Sequence, residues 1–231
     1  MRTAAILPVK SFARAKQRLG ASVADQLRLE LAEAMVADVL LALVQTEAIE
    51  RTIVVTREDT VAVVARQQGA IVVLDAAESG QSAAATLGVQ RALAEGMERV
   101  LCIPGDCPAL DPTELEELLS PEAAMHLGGR AVVIVPDRHG SGTNGLLLTP
   151  PDAIAPSFGP DSCERHRTLA LAAGVEPTIE RPASLLLDID TGADLAALRE
   201  RLAGLSARAP RTRAVLGLGE HPDVLRLTAP A

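Results

Sequence analysis

Short apolar runs alternate with longer amphipathic stretches along most of the chain. Residues 3–8, 51–56 and 99–104 are apolar or β-branched over the length of a strand, and the last run is apolar enough for burial on both faces. Residues 22–46 instead carry apolar positions at helical spacing. Strands that alternate with helices are typical of a three-layer α/β/α sandwich with a mostly parallel central sheet, which is the fold we predict.

The same pattern predicts further helices in the first half. Residues 58–67 and 81–95 have helical spacing, and a short apolar run at 70–74 lies between them. Asp111 and Glu114 mark another helix start, because an Asp cap, a following proline and a Glu three residues after the cap all favour helix initiation.

The second half has more closely spaced strands. Residues 131–136 and 143–149 predict two strands joined by a glycine-rich loop, so antiparallel additions make the sheet partly mixed. Residues 161–164 predict a capping box at a helix start. Residues 184–188 predict a last strand, and residues 191–203 a capped helix.

Domain organisation follows from the uninterrupted alternation. No repeat, low-complexity segment or convincing linker divides the chain, so we assign residues 1–208 to a single domain. Residues 209–231 contain Pro and Arg and form a C-terminal tail whose packing the pattern does not assign.

Bulk composition limits the possible partners. Hydrophobic residues make up 48% of the chain and no apolar run approaches the ~20 residues that cross a bilayer, so we expect a cytoplasmic protein without a membrane partner. The net charge is −8, and Trp and Tyr are absent. A chain without a basic field or stacking platforms is not expected to bind nucleic acid. A homo-oligomer stays possible.

Lysine is confined to one short stretch. The chain has 22 basic residues, of which only Lys10 and Lys16 are lysines, and Arg14 and Arg18 lie beside them. Because an ammonium is a compact point charge and a guanidinium a planar fork, this placement favours a loop that needs the ammonium to reach an anion. The alternative is a solvated surface loop.

Three aspartates form a candidate metal site. Asp188 and Asp190 are two residues apart, so on an extended backbone their carboxylates point to the same face. Asp106 follows the strand at 99–104, and an oxygen-rich set of this kind suits Mg²⁺. The alternative is that Asp190 merely precedes a helix and Asp106 merely shapes a turn.

Candidate phosphate sites complete the chemistry. Gly159 allows close backbone approach, and Ser162 opens a helix whose free amides favour an anion. The glycine-rich loop at 139–144 lacks the lysine of a P-loop and is a weak signal by itself. Cations, Mg²⁺ and two phosphate-sized sites together indicate phosphoryl or nucleotidyl transfer.

Five motifs in order resemble the 2-phospho-L-lactate guanylyltransferase family of coenzyme F420 biosynthesis, including its bacterial phosphoenolpyruvate guanylyltransferases. The resemblance runs from Ile6 to about Leu198. The motifs are Leu7-Pro8-Val9-Lys10 with Ala15-Lys16-Gln17-Arg18-Leu19, Pro104-Gly105-Asp106-Cys107-Pro108, Gly142-Thr143-Asn144, Phe158-Gly159-Pro160-Asp161-Ser162 with His166, and Leu187-Asp188-Ile189-Asp190-Thr191.

The resemblance implies a nucleotidyltransferase-type Rossmann-like domain, GTP as donor and a small phosphorylated carboxylic acid as acceptor. It implies transfer of GMP to phosphoenolpyruvate, with enolpyruvoyl-2-diphospho-5'-guanosine and pyrophosphate as products. Site residues are implied by position: acceptor binding by Thr143, Gly159 and Ser162; Mg²⁺ binding by Asp106, Asp188 and Asp190; catalysis by Lys10, Lys16 and Arg18; and nucleotide binding by Lys10, Arg14, Lys16, Gly80 and Ser82.

One position departs from the family pattern. Ser82 stands where the family usually has Asn. Other functions also remain open: the same reaction on 2-phospho-L-lactate or 3-phosphoglycerate, a sugar-phosphate or molybdopterin-type nucleotidyltransferase, and a non-catalytic nucleotide-sensing domain. Sugar-phosphate and molybdopterin-type nucleotidyltransferases typically have a glycine-rich loop after the first strand, whereas residues 9–14 of this chain contain no glycine. A sensing domain would bind GTP without turnover.

Overall fold

A seven-stranded sheet runs through the residues that the computed structural model describes, which are 1–12, 19, 24–120, 129–205 and 207–218. Its strands are β1 (Thr3–Val9), β2 (Arg51–Thr56), β3 (Ile71–Leu74), β4 (Arg99–Cys102), β5 (Ala131–Pro136), β6 (Thr143–Thr149) and β7 (Thr178–Ile179). They lie in the order β3-β2-β1-β4-β6-β5-β7.

The sheet is mostly parallel with one antiparallel insertion. Strands β1 to β4 pair with one another in parallel, and β7 pairs in parallel with β5. Strand β6 is antiparallel to both β4 and β5, as the close spacing of the later strands predicted. Because Cys102 of β4 lies opposite Leu146 of β6, the residues that begin β6 lie at the carboxyl end of β4.

Helices cover both faces of the sheet, which confirms the three-layer sandwich. They are α1 (Asp25–Gln45), α2 (Asp59–Gln67), α3 (Gln81–Ala94), α4 (Pro112–Leu118), α5 (Ser162–Ala172), α6 (Gly192–Ala203) and α7 (Pro210–Val215). Successive strand residues point to opposite faces, so Leu7 shares an apolar cluster with Leu43 of α1, and Ile6 shares another with Val89 of α3. Among the described helices, none is long and apolar enough to cross a membrane.

The predicted strand at residues 184–188 is wrong. Ala183–Leu185 is a turn of 3-10 helix, and the residues that follow it are irregular. The Leu185 carbonyl accepts a hydrogen bond from Asn144 Nδ2 at 2.8 Å, so a side chain takes the place of a neighbouring strand. Leu185 is nevertheless fully buried, which explains why this segment is as apolar as a strand.

Two of the predicted helix starts have the expected caps, and a third does not. Asp111 caps α4 by accepting from the Thr113 amide at 2.9 Å, and Thr191 and Asp194 form a reciprocal capping box on α6. The predicted capping box at Asp161 is wrong, because its side chain makes no capping bond. Its backbone is left-handed, with φ of 54°, whereas a capping residue is normally extended.

The first part of the C-terminal tail packs against the domain. Helix α7 begins where two backbone amides, those of Arg211 and Thr212, donate to the carboxylate of Asp38 in α1 at 3.1 and 2.7 Å. Thr212 and Leu216 are buried, and Leu216 joins an apolar cluster with Leu198 of α6. Residues 219–231 of the predicted tail lie outside the described residues.

Candidate active site

Two neighbouring strand ends form one side of the candidate site. Strands β1 and β4 are parallel, and the amide of Ile103 donates to the carbonyl of Ile6 at 3.0 Å just beyond the end of β4. Lys10 follows β1 directly and is exposed, and Asp106 lies in the loop after β4. Ligands bind at the carboxyl ends of strands in open α/β sheets. The predicted cation and the first predicted carboxylate therefore start from adjacent strand ends.

Asp106, Asp188 and Asp190, here called the acidic trio, come together in the structure. Each offers a carboxylate oxygen, and the three oxygens lie within 4.8 Å of one another. The chain between the last two is fixed by Ile189, which is fully buried and whose amide donates to the Asp106 carbonyl at 3.1 Å. The i, i+2 spacing thus places two carboxylates on one side of a buried anchor, although no strand forms there.

The electrostatics of the acidic trio favour a cation. Burial raises the pKa of Asp188, and the charges of Asp106 and Asp190 raise it further, while a hydrogen bond from Asn144 opposes the rise. Negative groups this close are stabilised by a positive charge between them. Three half-buried carboxylates are also the donor set that hard divalent ions accept. The trio is therefore suited to a divalent metal ion.

Asn144 connects the acidic trio to β6. Its Nδ2 donates to Asp188 Oδ1 at 3.1 Å and to the Leu185 carbonyl at 2.8 Å. Both contacts are possible because β6 is antiparallel to β4, so its first residues lie beside the loop that carries Asp106. No role for Asn144 was predicted from the sequence beyond its membership of the Gly142-Thr143-Asn144 motif.

The candidate acceptor residue Thr143 is linked to α5 through a histidine. Thr143 Oγ1 lies 3.0 Å from Nδ1 of His166, and the Ser157 amide donates to Nε2 of the same ring at 2.8 Å. Burial lowers the pKa of His166 to about 4, so the ring is neutral at pH 7. Ser162 lies one helical turn before His166 on the same face of α5. The next residue, Cys163, donates its amide to the Ser141 carbonyl at 3.0 Å, so the start of α5 lies beside the loop that precedes β6.

The loop at residues 157–161 is held from two sides. Ser82, at the start of α3, accepts a hydrogen bond from the Phe158 amide at 2.8 Å. Arg165 of α5 donates to the Ser157 carbonyl at 3.1 Å and also contacts the carbonyl of Pro160. Gly159 has φ of +117°, which side chains rarely permit. The loop is thereby fixed between the start of α3 and α5.

The basic loop is described only at its start. Two glutamates hold the chain after Lys10, because Ser11 donates its amide to Glu78 and Phe12 donates its amide to Glu58, both at 3.0 Å. The remaining predicted cations, Arg14, Lys16 and Arg18, lie outside the described residues.

The start of α3 is the other predicted nucleotide contact. Gly80 is the N-cap, with φ of 108°, and no side chain caps the first turn. The first amides of a helix have no intrahelical partner and favour an anion. Because the Ser82 hydroxyl is bonded to Phe158, a contact from Ser82 to a phosphate would come from its backbone amide.

Comparison with solved structures agrees with the fold. A nucleotidyl transferase from Methanothermobacter thermautotroptrophicus superposes with a TM-score of 0.62 at 20% identity, over 88% of this chain and 99% of that one. The fold and the acidic trio together define a nucleotidyltransferase-type α/β protein with a site suited to a divalent metal ion. Within that class, the chain belongs to the guanylyl transferase CofC-like family, whose model matches residues 3–205.

Curated relatives cover nearly the whole chain. A protein of Conexibacter woesei is 49% identical over 217 residues, which are 94% of this chain and 96% of the relative. One of Sphaerobacter thermophilus is 35% identical over 204 residues, or 88% and 94%. Both are named phosphoenolpyruvate guanylyltransferase. The family and the enzyme class inferred from the sequence motifs are confirmed.

Proposed function

We propose that this chain transfers GMP from GTP to the phosphate of phosphoenolpyruvate in coenzyme F420 biosynthesis. The products are enolpyruvoyl-2-diphospho-5'-guanosine and pyrophosphate. The names of the relatives support the acceptor and the base. The observation that carries the proposal is the continuous path of contacts from the acidic trio through Asn144 to Thr143, and on through His166 to the 157–161 loop.

The reaction needs no general base from the protein. An oxygen of the acceptor phosphate forms a bond to the α-phosphorus of GTP, and the bond to pyrophosphate breaks. A phosphomonoester has a second pKa near ~6, so the acceptor is mostly a dianion at pH 7 and attacks without losing a proton. His166 is neutral and buried, with both ring nitrogens hydrogen-bonded, so it is poorly placed to remove a proton.

The residues divide into three groups by what they contact. Bound Mg²⁺, held by the acidic trio, would supply charge neutralisation on the phosphates. The acceptor's phosphate and carboxylate contact two hydroxyls and one glycine backbone, namely Thr143, Ser162 and Gly159. The cations and helix amides contact GTP, with Lys10, Lys16 and Arg18 on the leaving phosphates and Arg14, Gly80 and Ser82 completing the nucleotide site.

The same proposal covers cellular context. We place the enzyme in the cytoplasm, where both substrates are expected, and assign its substrate-binding residues to the domain at 1–208, against which α7 packs. It acts on small molecules, and a homo-oligomer is compatible with the site.

Turnover assays test the function directly. Full-length protein is mixed with GTP, Mg²⁺ and phosphoenolpyruvate, and pyrophosphate release is followed; parallel reactions contain 2-phospho-L-lactate or 3-phosphoglycerate, or ATP instead of GTP. We expect release with GTP and phosphoenolpyruvate to be fastest, and a loss of at least about 100-fold in Asp188→Asn, which replaces one charged carboxylate of the acidic trio with a neutral amide. GTP binding without release from any acid would identify a nucleotide-sensing domain instead.

A further inference from the structure

The imidazole of His166 connects Thr143 of β6 to Ser157 of the 157–161 loop, and these two contacts define its tautomer. The Ser157 amide donates to Nε2 at 2.8 Å. An amide N–H cannot accept a hydrogen bond, so Nε2 must present a lone pair. In a neutral imidazole the proton then resides on Nδ1, which lies 3.0 Å from Thr143 Oγ1.

The direction of this hydrogen bond determines what Thr143 can do. Because Nδ1 donates, the Thr143 oxygen accepts, and the hydroxyl proton of Thr143 is not used by the imidazole. A hydroxyl held in this way is a donor toward whatever lies beyond it. Phosphates and carboxylates are acceptors only at pH 7, so this polarity matches an anionic acceptor.

The surroundings keep the ring in this state. His166 is fully buried, and the Phe158 ring packs against it in a T-shaped arrangement with centroids 5.1 Å apart and planes at 75°. Turning the ring over would place carbon atoms against both hydrogen-bond partners. A second proton on Nε2 would oppose the Ser157 amide, and burial disfavours the cation as well.

We propose that His166 is a positioning residue that holds the Thr143 hydroxyl as a hydrogen-bond donor to the phosphorylated acid. The inference rests on the proposed function, since it deepens the role of Thr143 in that site. It assigns His166 a part in acceptor affinity beyond holding the 157–161 loop.

Two amide substitutions separate positioning from loop support. An Asn side chain at 166 reaches about as far as Nδ1 and still donates to Thr143, whereas a Gln side chain reaches about as far as Nε2 and still accepts from Ser157. We expect His166→Gln to raise the KM for phosphoenolpyruvate about ten-fold, as for loss of a hydrogen bond to a charged group, with the KM for GTP within about two-fold of wild type. His166→Asn should restore most of the acceptor affinity.

The opposite order, with Gln tolerated and Asn impaired, would show that His166 only supports the loop and would overturn the inference. Nitrogen-15 NMR of the wild-type imidazole gives a readout without turnover: the Nδ1–H tautomer is expected, and an Nε2–H tautomer overturns the inference even if both variants fail to fold. A wild type that releases no pyrophosphate with any of the three acids overturns the proposed function instead. An active wild type with unaffected variants overturns the inference alone.

Discussion

At the scale of single residues, Asn144 is the side chain that connects β6 to the acidic trio. Its amide donates to one oxygen of Asp188 and thereby orients that carboxylate. Groups that orient metal-binding side chains typically change metal affinity 10–100-fold when removed, so we expect Asn144→Ala to raise the half-saturating Mg²⁺ concentration about ten-fold. The measurement is turnover against Mg²⁺ concentration at saturating GTP and acceptor.

Ser141→Ala is a suitable control for this experiment, because Ser141 is exposed in the same region and its described bonds use only its backbone. It should leave the Mg²⁺ dependence unchanged. An Asn144→Ala enzyme with the wild-type Mg²⁺ requirement would show that Asp188 is oriented by other contacts.

His166 makes folding depend on pH in a known direction. Its pKa falls from the ordinary 6.5 to about 4 in the folded protein, so between these values the unfolded chain binds more protons. Its contribution to stability is therefore complete above pH 6.5 and is lost as pH falls toward 4. The loss amounts to about 3 kcal/mol, since one pKa unit corresponds to about 1.4 kcal/mol.

Urea denaturation of wild type and His166→Gln across pH 4–7 measures this contribution. Other groups titrate in the same range, so the difference between the two proteins is the informative quantity. We expect that difference to shrink as pH falls. A constant difference would mean that His166 is not held neutral.

Site residues were predictable from the sequence where their arrangement depends on spacing between near neighbours in the chain. Asp188 and Asp190 share a face because of their spacing, and the structure brings Asp106 to them as expected. The contacts of Asn144 with Asp188 and of His166 with Thr143 could not be predicted, because they join separate elements of the chain. A pattern of neighbouring residues contains no information about such pairings.

At the scale of elements, the contact between α3 and β1 leaves no space for a side chain at Gly88. A Cβ atom there would lie 2.3 Å from Cγ2 of Ile6. Alanine favours a helix by about 1 kcal/mol, but overpacking a tight core costs about 1–3 kcal/mol, and at this distance we expect the clash to be larger. Gly88→Ala should lower the free energy of unfolding by about 2 kcal/mol in chemical denaturation.

Gly204→Ala is the matched control, because the nearest atom to its added Cβ is the Arg201 carbonyl at an ordinary 3.8 Å. It should change stability by less than about 1 kcal/mol. In an Ile6→Ala background, Gly88→Ala should also be far less harmful. Wild-type stability of the single Gly88→Ala variant would mean that α3 can move away from the sheet without cost.

Element types were predicted well where periodicity and burial agree, as in β1 and α1. Residues 184–188 show where the two signals separate. This segment contains leucines because Leu185 is buried in the core. The Leu185 carbonyl accepts its hydrogen bond from the Asn144 side chain, and not from a neighbouring strand. Apolar residues indicate burial, but they do not determine which group satisfies the backbone.

At the scale of the whole molecule, the order of the strands creates the site. The antiparallel insertion of β6 between β4 and β5 brings Thr143 and Asn144 to the edge where Asp106 lies. The sequence predicted a partly mixed sheet, but strand order depends on contacts between distant segments. The position of Thr143 and Asn144 beside the acidic trio is therefore a property of the topology.

The C-terminal segment also belongs to the folded domain, because α7 packs against α1 and donates two amide hydrogen bonds to Asp38. Removal of residues 209–231 would take both amide donors from the buried Asp38 and would expose its apolar neighbours. A buried carboxylate without donors is costly, so a chain ending at residue 208 should lose about 3 kcal/mol of unfolding free energy. A chain ending at Leu218 keeps both bonds and should be more stable in denaturation than the chain ending at residue 208 by about this amount. Equal stability of the two truncations would show that α7 contributes nothing to the fold.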